Sequence, residues 1–266
     1  MDVARPEFVP DPALSTPEME ALQRDIAAKA VFADDHGVDP AAIALDGPAG
    51  QATLGEDRSV DTDDRPLVAG VDQAFVGDRA VSAVVVLRGR EVVERVWAVE
   101  PTDIPYIPGL LSFREGGAIC SALAELDSEP DVLFVDGSGR IHYREAGLAT
   151  HISVIFDVPT VGVAKNLLCG TPAESLDRKL PAGERVAIAA DDEVETAPAG
   201  TVIGYAVQTR QYDSPKRHIN PLVVSPGHRV SAETAAEMVL STAAGYKLPE
   251  PTRLADSYAD SVKADH

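Results

Sequence analysis

Between Pro66 and Glu100 the chain runs as three stretches rich in β-branched and apolar residues, "LVAGVDQAF", "AVSAVVVLRG" and "EVVERVWAVE". Only the turn-like breaks "VGDR" and "GR" separate them. Runs of this kind predict a meander of three antiparallel strands. "DVLFVDG" is a short, almost unbroken apolar run, as expected of a strand buried in the middle of a sheet. "PTVGVAK", "RVAIAA", "TVIGYAVQT" and "NPLVVSPG" predict further strands. Elsewhere the spacing is helical. "TPEMEALQRDIAAKAVF" opens with Thr16, Pro17 and acids, a helix-start signature. "FREGGAICSALAEL" offers Phe113, Ile119, Ala122, Leu123 and Leu126 to one face. "YREAGLATHISVIF" and "TPAESLDRK" predict helices, and "SAETAAEMVLSTAAGY" predicts a late helix capped by Ser231. The order predicts an α/β fold, a mixed sheet of three antiparallel strands followed by parallel additions, flanked by helices.

Residues 1–16 are Pro-rich and expected to be extended. Residues 35–65 are acidic and rich in Gly, Ala and Pro, which suggests a solvated insert or linker. Residues 1–65 therefore read as an N-terminal helix plus insert, residues 66–256 as one domain, and residues 257–266 as an acidic tail free to fray.

The 266 residues are 45% hydrophobic, enough for one sizeable core. Lys and Arg number 23 against 43 Asp and Glu, a net charge of -20. That balance argues against a polyanionic partner, and with so little Lys it suits a protein adapted to a very salty cytoplasm. Cys120 and Cys169 sit in apolar surroundings and read as small buried hydrophobes. No apolar run reaches the length of a membrane span and no signal-peptide core is present, so a soluble, cytoplasmic protein is expected.

Candidate chemistry lies at the ends of the apolar runs. Asp72 closes "LVAGVD" and Asp136 closes "VLFVD", where a carboxylate leaves the core and faces a cleft. Glu115 opens the helix joining the two strands. Three converging carboxylates repel one another unless a cation lies between them, and hard oxygen donors select Mg²⁺ or Mn²⁺ over Zn²⁺. The same spacing also suits three unrelated turn and capping acids. "VDGSGRIHYREAGLATH" adds Gly137 and Gly139 around Ser138, where backbone is open to close approach. His142 is placed to contact phosphate or water or to serve as a polar loop residue, with Arg140 and Arg144 as nearby positive charge. Lys165 ends another apolar strand, either solvated or steadying phosphate charge. His228 and Arg229 precede the last predicted strand-to-helix turn, and His151 reads as a packing histidine. No Gly-X-Ser-X-Gly elbow, Cys/His pair or phosphate loop is visible. The set supports metal-assisted attack of water on a phosphodiester.

With these residues assembled, the chain resembles the endonuclease V family, deoxyinosine 3′-endonucleases with an RNase H-like fold. The resemblance runs from about Leu67 to Asp256 through "AGVDQAF", "PYIPGLLSFREG", "FVDGSGRIHYREAGLATHISVIFDVPTVGVAKNLL", "VSPGHRVS" and "LPEPTRLAD". It implies a DNA-repair nuclease that uses Mg²⁺, with Mn²⁺ as substitute. Its cut falls at the second phosphodiester bond 3′ to deoxyinosine. It implies Asp72, Glu115 and Asp136 as metal ligands and Lys165, His142 and His228 as further catalytic residues. The turn of Pro105, Tyr106, Ile107 and Pro108 is implied as a wedge entering the base stack. Gly109, Leu111, Gly137, Gly139 and Leu168 are implied as the pocket for the flipped base. The family's "HPR" is "HYR" here, with Tyr143, and its "AKS" is "AKN", with Asn166. Relatives that cut inosine in RNA make an endoribonuclease the alternative. A non-catalytic nucleic-acid module and an actin-like sugar kinase are the competing classes, and no paired phosphate loops support the kinase. A monomer is expected.

Overall fold

The computed structural model describes residues 1–49, 64–102, 104–214 and 216–265. Strands β1 (Leu67–Val76), β2 (Arg79–Arg88) and β3 (Glu91–Pro101) form the antiparallel meander. β4 (Val132–Asp136) and β5 (Thr160–Ala164) are added in parallel to β1. Beyond β5 the sheet turns antiparallel again through β6 (Thr171–Pro172), β7 (Arg185–Ala189), β8 (Val202–Val207) and β9 (Leu222–His228). The nine strands lie in the order β3-β2-β1-β4-β5-β9-β8-β7-β6. Mixed architecture follows from the connections: tight turns permit only antiparallel neighbours, whereas the helices before β4 and β5 permit parallel ones.

Period-two alternation along the central strands gives each face its own core. Ala69, Val71, Leu133 and Val135 pack with α2 (Leu111–Ala124), α3 (Leu148–Phe156) and Ile26 of α1 (Thr16–Lys29). Val68, Val132, Phe134, Val161 and Val163 pack with α4 (Ala232–Thr242) on the opposite face. α5 (Glu250–Ala264) covers the outer half of that face, where Ala255, Ala259 and Val262 lie over β1 and β2.

α1 begins at Thr16 as expected, capped by Ser15, whose backbone and hydroxyl both donate to Glu18. Several other local expectations are corrected. α3 begins only at Leu148, because Glu145 takes a positive φ of 48° and residues 143–147 form a turn. "TPAESLDRK" is the short β6 followed by turns, with no helix. The N-terminal segment is tethered rather than free. Ala4 and Arg5 donate their amides to the Ile155 carbonyl, Pro6–Phe8 forms a 3₁₀ turn, and Phe8 is buried. Within the expected solvated insert, Val38, Ile43 and Ala49 are buried, while residues 50–63 lie outside the described residues. The polar tail is ordered as the second half of α5, because three small apolar residues at helical spacing meet the sheet. Both cysteines are buried and unpaired, and burial pushes each thiol up to about 12. Among the described residues no helix is long and apolar enough to cross a membrane.

Candidate active site

Register brings the acids together. In the parallel β1–β4 ladder Val71 lies opposite Val135, so the next residues, Asp72 and Asp136, emerge side by side. Asp136 lies opposite Val163 of β5, which places Lys165 just past the same edge. Carboxyl ends of adjacent parallel strands are where open α/β sheets collect their ligands. There a cleft of about 340 Å³ is lined by Asp72, Glu115, Asp136, Lys165 and His142, together with Tyr106, Gly109, Leu111, Gly137 and Leu168.

Asp72 is buried and accepts the Gln73 amide at 2.8 Å. Burial, then the Asp136 charge and hydrogen bonding to Asp136 and Asp256, holds its carboxyl well above the usual range. Glu115 comes from the fifth position of α2 rather than its first residue. Burial pushes it up to about 7, against the pull of Arg114, and the Asp136 charge adds to the rise. Lys165 donates to Asp136 at 3.2 Å, and the Asp136 carboxylate raises its pKa.

The fourth acid, Asp256, carries no role in the sequence reading although it ends the quoted "LPEPTRLAD". Gly70 of β1 has no side chain, and a Cβ there would stand 1.9 Å from the Pro251 carbonyl oxygen. The start of α5 therefore lies directly on β1 and delivers Asp256 to Asp72.

His228 is not at this site. It pairs with Thr160 at the far end of β5, about 13 Å along the strand from Ala164 at about 3.3 Å per residue. There its Nδ1 accepts the Val31 amide at 3.0 Å and its Nε2 faces Asp157 at 3.0 Å. His142 does line the cleft, but both ring nitrogens are used. Nδ1 accepts the Arg144 amide at 3.2 Å and Nε2 donates to the Gly109 carbonyl at 3.0 Å. Burial lowers its pKa to about 4, and the ring braces the loop through these two bonds. Arg140 and Arg144 are likewise committed. Arg140 pairs with Glu145 and stacks over Phe32, and Arg144 binds Gln23, Glu20 and Glu195.

Gln23 was also missed, because it lies on α1, far from every chemical motif. It is buried, lines the cleft and donates to the Gly109 carbonyl at 2.7 Å while accepting from Arg144 at 2.8 Å. Gly109 needs φ = 80°, and a side chain there would press on the Tyr143 ring at 3.1 Å. Tyr143 thus packs over the loop. Gly139 sits behind the cleft wall, its amide donated to Ser225 Oγ at 2.9 Å.

The turn at residues 104–108 explains its own sequence. Ile104 and Ile107 pack on Met19, Leu110 and Phe113, while Tyr106 stands 64% exposed at the cleft rim. Pro105 and Pro108 are exposed and fix φ on either side of that ring.

The donor set fits a hard dication. It consists of carboxylate oxygens with no thiol or imidazole among them, and the charge crowding on Asp72 is what such an ion relieves. Among the described residues no group of three acids is already arranged around one point, so an ion held here would require the carboxylates to be deprotonated and drawn closer.

Comparison with known proteins places the chain in a family. The family model described as Endonuclease V matches residues 52–257. Endonuclease V of Haloarcula marismortui is 70% identical over 98% of this chain and 97% of its own. The catalytic domain of human Endonuclease V superposes with a TM-score of 0.72 at 29% identity, covering 94% of this chain and 96% of that one. A Ciona intestinalis Endonuclease V, solved with DNA containing an inosine followed by a ribo-adenosine, shares the fold with a TM-score of 0.67 at 24% identity, over 94% of this chain and 98% of its own.

Proposed function

The chain belongs to the endonuclease V family, which makes it a phosphodiester hydrolase of the deoxyribonuclease V type, and from that premise we propose a specific reaction for this site. It nicks DNA at deoxyinosine, hydrolysing the second phosphodiester bond on the 3′ side with Mg²⁺, or Mn²⁺ in its place. The carrying observation is Asp72 beside Asp136, with Lys165 at 3.2 Å from Asp136, under a cleft rimmed by the exposed Tyr106.

Asp72, Asp136 and Asp256, with Glu115 from α2, would hold the ion. When bound, it lowers the pKa of its water and neutralises charge on the leaving oxygen. Lys165 holds its proton beside Asp136 and stabilises charge that develops on the phosphate. Gly109, Leu111, Gly137 and Leu168 enclose the flipped base, and Gln23 and His142 fix the Gly109 loop from behind. Flipping costs a few kcal/mol, least where pairing is already weak, as at hypoxanthine. Tyr106 offsets part of it by stacking in the gap, worth roughly 1–3 kcal/mol.

Composition and the Haloarcula relative support a protein working in a salty cytoplasm. One second reading has a specific observation behind it. The Ciona enzyme was solved with DNA in which a ribo-adenosine follows the inosine, and that ribose position motivates inosine in RNA as the second candidate substrate here. Matched oligonucleotides with deoxyribose or ribose on the 3′ flank separate the two. The DNA reading expects cleavage of the all-deoxy strand at a rate similar to or above that of the ribose strand. Cleavage confined to ribose flanks would transfer the assignment to RNA.

A further inference from the structure

Many arginines of this acidic chain are matched to carboxylates. Arg5, Arg24, Arg140, Arg185, Arg229 and Arg253 each have one within 4.0 Å, and Arg144 and Arg178 have two. The loop between β8 and β9 gathers three cations that are not. Arg210, Lys216 and Arg217 are exposed, and among the described residues none of them pairs with an acid. Arg217 and Arg210 instead stand 4.3 and 5.6 Å from the centroid of the same Tyr212 ring. Lys179 donates to the Tyr212 and Ser214 carbonyls, pinning the loop to the body of the protein.

This loop borders a groove of about 500 Å³ lined by Lys165, Asn166, Lys179, His218 and Asn220, among others. Lys165, Asn166 and Leu167 line both this groove and the catalytic cleft, so the two are separated by a single three-residue wall. In a chain of net charge -20, three exposed cations gathered on one loop, two of them over an aromatic face beside a groove, offer a local site for an outside anion.

We propose that the β8–β9 loop and its groove bind the sugar–phosphate backbone of the substrate strand where it leaves the catalytic cleft. Arg210, Lys216 and Arg217 contact phosphates, and Tyr212 keeps the two guanidiniums splayed toward them. The proposal rests on the nuclease reading of the neighbouring cleft. It explains how a strongly acidic protein holds a polyanion: a few uncompensated cations are concentrated along the strand, and repulsion from the rest is screened in salt.

The test is the triple variant R210S/K216S/R217S, which touches no cleft residue. Cleavage of inosine oligonucleotides is followed while each flank is shortened in turn, at several salt concentrations that leave circular dichroism unchanged. In the unmodified protein KM falls as one flank lengthens. In the variant that length dependence disappears, KM on the long substrate rises roughly tenfold, and the log–log salt slope shrinks by about 2–3, near one per lost phosphate contact. On substrates with the flank removed, the variant matches the parent in kcat and KM. Unchanged length dependence and salt slope would overturn the proposal, as would an equal loss on short and long substrates. Should the parent prove unable to cleave, the nuclease reading fails, yet fluorescence polarisation with an undamaged single strand still decides the surface. Loss of binding in the variant supports the proposal, and equal binding refutes it.

Discussion

Replacing Asp72 by asparagine is expected to abolish cleavage while making the metal-free protein more stable. Loss of an ion-binding oxygen at the junction of β1 and β4 removes several kcal/mol of transition-state stabilisation, about a thousandfold or more in kcat. The stability gain comes from the same crowding. Asp72 is buried against Asp136 and Asp256, and its carboxyl titrates well above the usual range. Between the unfolded value near 4 and the raised folded value, the folded chain holds a proton that the unfolded chain has released. Stability from this group is thus present at low pH and drains as pH rises through the folded value. Asparagine has no such dependence. In chelator, the variant should melt a few degrees above the parent at pH 8, with a smaller gap at pH 5, on the scale of about 2–4 °C per kcal/mol. Melting curves at the two pH values check this, and a variant less stable at pH 8 would show that repulsion is not the dominant force on Asp72.

The second large effect separates Asp256 from His228. Asp256→Asn should lower kcat by about a hundredfold or more, because α5 brings this carboxyl to Asp72. His228→Gln should leave kcat within about twofold and lower thermal stability instead. It breaks the ties to Val31 and Asp157 at the far end of β5, each replaced only in part by the amide. Steady-state kinetics and melting of the two variants decide the matter. A catalytic defect in His228→Gln with Asp256→Asn unaffected would return the role to the histidine.

Why one was legible and the other not is a matter of range. Asp72 and Asp136 each end an apolar run, so local pattern alone places them at strand ends, and the parallel register then sets them together. Their partners depend on contacts over long sequence separations. Asp256 reaches the site only because Gly70 lets α5 settle on β1, a packing fact without periodic trace. Gln23 meets Gly109 across 86 residues of chain, and no spacing rule links them. His228 was misplaced because its role was carried over from a motif resemblance, and a motif does not say which end of the sheet its residue reaches. β9 is antiparallel to β5, so its last residue arrives at the opposite edge. The helix expected at residues 171–179 and the frayed tail failed for a related reason. Tertiary contact overrode weak local preference, ending one and extending the other. The arginines of the β8–β9 loop were visible as residues, but only the fold shows that two of them share the Tyr212 ring and that, among the described residues, neither pairs with an acid.

The central claim is that the carboxylates at the ends of β1 and β4 hold a divalent ion that cuts DNA beside a flipped hypoxanthine. Its most direct test is cleavage of an end-labelled duplex carrying one deoxyinosine, in molar salt with Mg²⁺, resolved to single nucleotides. The account predicts one nick at the second phosphodiester 3′ to the lesion, absent in chelator and absent from the same duplex with deoxyadenosine. Cleavage that persists without metal, or falls equally on the undamaged duplex, would contradict it.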